Sequence, residues 1–167
     1  MHEEFELKAI SEGAVEHALE KVDRYRLLNE PQQAESICLD LLKTEPNNEE
    51  VLVLLILSIT DQAGAHDAPS MSRMNETLAQ LRDEYNKAYY AGIIAERRAR
   101  AILKRGGIAS TFAYDGLREA MEFYEQAEIL RPPDTDDPQL RWNSCVRALR
   151  RWRLKPRQDG EEVQFQE

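Results

Sequence analysis

Along nearly the whole chain apolar residues recur three and four positions apart, and nowhere do they alternate with polar residues over a strand's length. A spacing near 3.6 lines one face of a helix and gives a sheet nothing to build on, so the expected fold class is all-α. Residues 11–28 carry the stripe Ala14, Val15, Ala18, Leu19, Val22, Tyr25 and Leu28, with Ser11 placed as an N-cap. The triplet NEP at 29–31 ends that helix and starts another, because proline suits a first helical turn and not an interior. The second helix, residues 32–43, turns Ala34, Ile37, Cys38, Leu41 and Leu42 inward, and so short a connection makes the pair an antiparallel hairpin.

A third helix is expected over 49–62, apolar around most of its circumference (VLVLLILSI) and therefore covered by neighbours on more than one side. AGAHDAPS at 63–70 is a loop by composition, and Ser70 caps the helix that starts at Met71. No proline interrupts residues 71–104, which form either one very long helix or two divided by a turn near Arg82. Arg105, Gly106 and Gly107 supply the cation and the glycine of a helix C-terminus. The next helix, about 111–130, directs Ala113, Leu117, Ala120, Tyr124, Ala127 and Ile129 inward, and Pro132 and Pro133 close it. DTDDP offers caps for a last helix over 138–152, and the residues after Lys155 read as a frayed tail.

At 167 residues the chain is long enough to bury a real core, and one compact unit over 1–155 is expected with a tail at 156–167. Its net charge of -9 disfavours a whole-molecule attraction to nucleic acid or to an anionic membrane. The start MHEEFELKAI is acidic where a secretory signal needs a basic head, and the longest apolar stretch, 51–57, is far too short to span a bilayer. A cytoplasmic protein without a membrane span is the expectation. Cys38 and Cys145 lie in no metal or redox spacing, which makes them core-filling residues.

Helix hairpins recurring at about 34 residues are the mark of the tetratricopeptide family, whose second helix reads A-x3-F-x2-A with a terminal proline. REAMEFYEQAEILRPP resembles that pattern, with Ala120, Tyr124, Ala127 and Pro132 in the family's places. Tyr25, Ala34, Cys38, Leu41 and Pro46 resemble it at the same spacing, with cysteine in the aromatic position and leucine for the second alanine. A weaker unit between them offers Leu52, Leu55, Ile56 and Ile59, then Ser70, Met74 and Thr77, which ends its second helix near Arg82 and favours the divided reading of 71–104. Ala91 and Gly92 then stand where the family has its Leu-Gly pair, so the mid-helix glycine becomes a close-packing contact. The family's tryptophan is missing from every repeat, so the chain resembles a divergent member.

That resemblance implies a right-handed stack of about three antiparallel helix hairpins, at 14–48, 49–82 and 83–134, closed by a capping helix at 137–153. It also implies a ligand surface made mainly by first helices. The matching positions are Glu16, Leu19, Asp23 and Arg26 in the first repeat and Glu50, Val53, Leu57 and Asp61 in the second. In the third they are Asn86, Tyr89, Tyr90, Ile93, Glu96 and Arg97, although Tyr89 and Ile93 read equally well as packing residues.

Catalysis finds little support. His2 is terminal, His17 falls on the polar side of its helix and His66 lies in a loop, so the Glu-x-x-His pairs of a helical metal site are missing. Motifs of hydrolases, zinc proteases and phosphate loops are absent, and RGG at 105–107 is a helix end. The informative polar feature is charge asymmetry. Acids outnumber bases up to Gly92, whereas ERRARAILKR (96–105) and RWNSCVRALRRWRLKPR (141–157) are almost purely basic. Either these are solvated faces, or Arg97, Arg100, Arg147, Arg150 and Arg151 form one patch that receives an acidic partner, phosphate or headgroups. Among those arginines Trp142 reads as core and Trp152 as exposed.

The sequence thus points to a module without cofactor or metal that binds a peptide or helix of another protein. Its first-choice contact residues are Asp23, Arg26, Leu57, Asp61, Tyr89, Tyr90, Ile93, Arg97, Arg100, Arg147, Arg150 and Arg151. The alternative is a binder of nucleic acid or an anionic surface through the arginine-rich half.

Overall fold

The computed structural model describes residues 5–157. His2 and most of the expected tail, from residue 158 on, lie outside the described residues. All regular structure among the described residues is helical. Seven α-helices follow in order: α1 (Val15–Leu27), α2 (Pro31–Thr44), α3 (Glu49–Thr60), α4 (Met71–Ala79), α5 (Glu84–Arg105), α6 (Ala113–Leu130) and α7 (Asp137–Arg151). Short 3-10 turns precede α1 (Glu12–Ala14) and α6 (Gly107–Phe112). The stretch 71–104 is divided, with α4 ending at Ala79 and α5 beginning at Glu84. The chain forms two compact units, which meet in sequence at Arg82 and Asp83.

In the first unit α1 packs on α2, α2 on α3, and α3 on α4, with α1 also touching α3. The covering of α3 follows from its sequence: Val51, Leu52, Leu54, Leu55, Ile56 and Ile59 are all buried. Pro31 opens α2, and the chain reaches it through Asn29, whose φ of 60° lets the Glu30 N–H return to the Tyr25 carbonyl at 2.8 Å. Asn48 caps α3 through Val51 N–H, and Ser70 caps α4 through Arg73 N–H.

In the second unit α5 packs along α6, and α6 along α7. Asp83 caps α5 at Asn86 N–H, and Gly106, at φ 68°, ends it. Small residues set the α5–α6 spacing. A Cβ on Gly92 would stand 2.5 Å from a ring carbon of Tyr124, and one on Gly116 would stand 2.9 Å from the Ala99 Cβ. Ala34, Ala120 and Ala127 are fully buried, as are Cys38 and Cys145. No described helix is long and apolar enough to cross a membrane.

Several local expectations need correcting. Ser11 and Asp136 precede helical segments without a side-chain capping bond, and Thr135 Oγ1 instead accepts from Asp137 N–H at 3.4 Å. Ile129 and Leu28 lie beyond the stretches that are packed, at 86% and 60% exposure, because both stand at helix ends where the inward stripe has run out. Trp142 is half-buried rather than core, while Trp152 is exposed.

The Gly92–Tyr124 contact predicts the sign of one substitution. Gly92→Ala gains helix propensity of about 1 kcal/mol but forces the pinned Tyr124 ring to move, at a cost of about 1–3 kcal/mol. A lower melting temperature than the parent's is expected, and thermal denaturation followed by circular dichroism checks it.

Candidate functional site

The first-helix candidates of the first unit converge. Asp23 and Arg26 lie in the last turns of α1, and Asp61 directly follows α3. Arg26 Nε donates to Asp61 Oδ2 at 2.8 Å, with both side chains about one-fifth exposed, and a guanidinium nitrogen of Arg26 reaches Asp23 Oδ1 at 3.4 Å. These three residues, with Leu27, Asn29 and Pro31, line an open cavity of about 460 Å³. Leu57, one turn before Asp61, is half-buried and does not line it. Elsewhere in this unit Glu35, 8% exposed, accepts from Gln62 at 2.5 Å and pairs with Arg73 of α4. Cys38 is also taken up by the interior, where burial pushes its thiol up to about 12.

The second unit contains a polar centre that the sequence reading placed on a ligand surface. Glu96 is 1% exposed. Its Oε2 accepts from the Tyr124 hydroxyl at 2.6 Å, and its Oε1 accepts from Arg100 Nε at 2.8 Å with Arg141 at 3.6 Å. Arg100 also donates to Ser144 Oγ at 2.8 Å. Glu96 is thereby shared by α5, α6 and α7. Burial first, then the Glu96 carboxylate, drives the Tyr124 phenol far above the usual range, and burial with Glu96 nearby holds Cys145 at about 12. Burial lowers the Arg141 pKa, but Glu96 and Tyr124 outweigh it and leave the guanidinium more basic than usual.

Around this centre Tyr89 lies 5.1 Å from Tyr90, 5.7 Å from Tyr85 and 5.9 Å from Tyr124 between ring centroids. Tyr89 and Tyr90 are half-buried, and Ile93 is buried at 1% exposure, in line with its packing reading. The five arginines expected to share a patch have different surroundings. Arg100 is drawn inward by Glu96 and Ser144, and Arg97 is half-buried, whereas Arg147, Arg150 and Arg151 are exposed on α7.

Of these only Arg150 lines another open cavity, of about 480 Å³, beside Arg153, Lys155, Leu149 and Leu154. Arg153, Lys155 and Tyr114 were not singled out from sequence. The run RRWRLK, which carries leucine among its cations, was the signal that could have found Arg153 and Lys155, whereas nothing in the sequence marks Tyr114. Among the described residues no group of three histidine, cysteine or carboxylate side chains stands ready for a metal ion. Comparison with family models, with curated proteins and with solved structures finds no match for this chain.

Two outcomes follow from the buried centre. Glu96→Ala leaves two guanidinium groups and a phenol without their shared acceptor. The expected loss is about 3 kcal/mol, at the low end for a broken buried pair because Arg100 and Arg141 stay one-third exposed. Urea denaturation measures it. The second outcome concerns alkali. Cys38, Cys145 and Tyr85 hold their protons up to about 12 in the fold, above the ordinary 9.0 and 10.0, so the unfolded chain releases those protons first. Their contribution to stability is complete below about pH 9 and is shed as pH rises toward 12. Melting temperatures measured from neutral to alkaline pH are expected to stay level and then fall through that window.

Proposed function

We propose that this chain is a helical-repeat module of the tetratricopeptide kind, working in the cytoplasm without chemistry of its own, and that it holds a peptide or helix of another protein. In that reading its hairpins form a right-handed stack closed by α7. The observation that carries the reading is the convergence of Asp23, Arg26 and Asp61 on one open cavity. Asp23 and Arg26 belong to the first helix and Asp61 directly follows the third, the helices from which the family resemblance draws its ligand surface. A cavity that offers a part-exposed guanidinium, two carboxylates and the exposed Leu27 presents both polar and apolar contacts to an extended segment. The thiols and Tyr124 favour a structural reading over a catalytic one, since their raised pKa values leave them protonated and weakly nucleophilic at neutral pH.

A second reading, attachment to nucleic acid or an anionic surface, draws on the exposed Arg147, Arg150 and Arg151 of α7. It predicts binding to RNA or anionic vesicles that weakens steeply with salt.

The principal reading is tested by affinity capture with the parent chain and with the variant Asp23→Lys, Leu27→Ala. The Asp23 side chain is 62% exposed and Leu27 is 88% exposed, so stability is expected to change by less than about 1 kcal/mol. The parent is expected to retain a defined protein that the variant recovers at least tenfold less. Equal recovery by the two, with melting unchanged, would remove this cavity from the reading.

A further inference from the structure

The cavity of the second unit forms where the segment after α7 turns back along the start of α6. Arg157 fastens that segment, pairing with Asp115 at 2.8 Å and lying 4.6 Å over the Phe112 ring. Val146, Leu149, Leu154 and Tyr114 give the groove apolar contacts, and Arg150, Arg153 and Lys155 give it charge. Its lining includes no carboxylate among the described residues.

The backbone supplies a second, independent observation. α7 ends with the Leu154 N–H on the Leu149 carbonyl at 3.0 Å and the Arg153 N–H on the Arg150 carbonyl at 3.2 Å, which requires Arg153 to take a φ of 50°. α1 ends with the same pair of bonds around Asn29, and α5 ends on Gly106. Asparagine and glycine are the residues that left-handed backbone favours, and arginine is not. Nor does the helix end need this charge, because Arg150 and Arg151 already occupy its last turn. An arginine standing where glycine would sit with less strain points to a task for its side chain.

We propose that this groove binds an acidic, amphipathic segment of a partner protein, whose carboxylates meet Arg150, Arg153 and Lys155 while an apolar side chain enters between Leu149 and Leu154. Charge complementarity selects the acidic partner. The apolar contacts favour a protein segment over a phosphate backbone, which would leave them unused, and a chain of net charge -9 repels a long polyanion elsewhere. This inference rests on the protein-binding reading but uses a surface separate from the Asp23–Asp61 cavity.

Fluorescence anisotropy tests it with a labelled synthetic peptide of about fifteen residues that sets leucine and phenylalanine at helical spacing among glutamates. The full chain is expected to bind this peptide, with an affinity that falls as salt is raised. Arg153→Gly is expected to raise the melting temperature, by relieving the left-handed position, and yet to weaken the peptide tenfold or more. A purely structural Arg153 would give the first change without the second. Undiminished binding by Arg153→Gly overturns the proposal. Equal binding of a peptide with lysine in place of glutamate overturns it too, as does tighter binding of uridine-rich RNA or phosphatidylserine vesicles. The Asp23→Lys, Leu27→Ala variant separates this groove from the first cavity: peptide binding equal to the parent's supports the proposal whatever becomes of partner capture, and peptide binding lost with it counts against the groove.

Discussion

The Glu96 carboxylate, with a side chain 2% exposed, would be very costly to bury among α5, α6 and α7 if any of its partners were missing. Its hydration is replaced by the Tyr124 hydroxyl on one oxygen and by Arg100, with Arg141 farther off, on the other. Each partner comes from a defined helix, so the bonds act as positional constraints. Tyr124 reaches Glu96 only by lying across Gly92, where any side chain would occupy the space of its ring. The glycine, the tyrosine and the glutamate therefore depend on one another. Arg100 extends the linkage to Ser144 and Arg141 closes it, which fixes α7 by polar contacts in addition to its small buried residues Cys145 and Ala148.

The first unit reaches the same end with a lighter arrangement. Glu35 on α2 takes Gln62 from beyond α3 and Arg73 from α4, and Arg26 on α1 takes Asp61 at the end of α3. Helices whose contacts are mostly aliphatic can slide by a turn at modest cost, since neighbouring leucines present similar surfaces. A charge-assisted bond between two particular residues removes that freedom. In both units a small number of polar pairs fix the alignment of helices whose association is driven by apolar burial.

Helix positions were largely legible because the 3.6 spacing and the Pro31, Ser70 and Gly106 signals are local, and local chemistry is what a sequence displays. Gly92, Ala120 and Ala127 were expected at close contacts through the family resemblance, whose pattern asks for small side chains there. Depth was less legible. Glu96 lies on the face that also holds Ile93 and Ala99, and its i,i+4 relation to Arg100 looks the same on paper whether the pair is solvated or enclosed. Ile129 shows the reverse error, since a stripe continued to the helix end predicts burial where the partner helix no longer runs alongside. Of the candidate contacts, Asp23, Arg26 and Asp61 share a cavity, whereas Ile93 is buried and the part-exposed Arg100 is tied to Glu96 and Ser144. The groove beside α7 was hidden because it depends on a backbone reversal at Arg153, a residue whose type gives no hint of left-handed geometry.

Net charge and local charge play different parts in such a molecule. An overall charge of -9 sets the far field and keeps most polyanions at a distance, yet within a few ångströms the nearest groups dominate because salt screens the rest beyond roughly 8 Å. Arg150, Arg153 and Lys155 can therefore attract a short acidic segment while the whole protein repels a long one. Three cations alone would hold such a segment weakly and with little preference, since exposed ion pairs contribute about 0–1 kcal/mol each. The leucines that line the groove with them change the balance, because burying one apolar side chain contributes about 1.5–3 kcal/mol and depends on where along the segment that side chain falls. On the proposed reading, the charges decide which segments arrive and the apolar floor decides which of them stay.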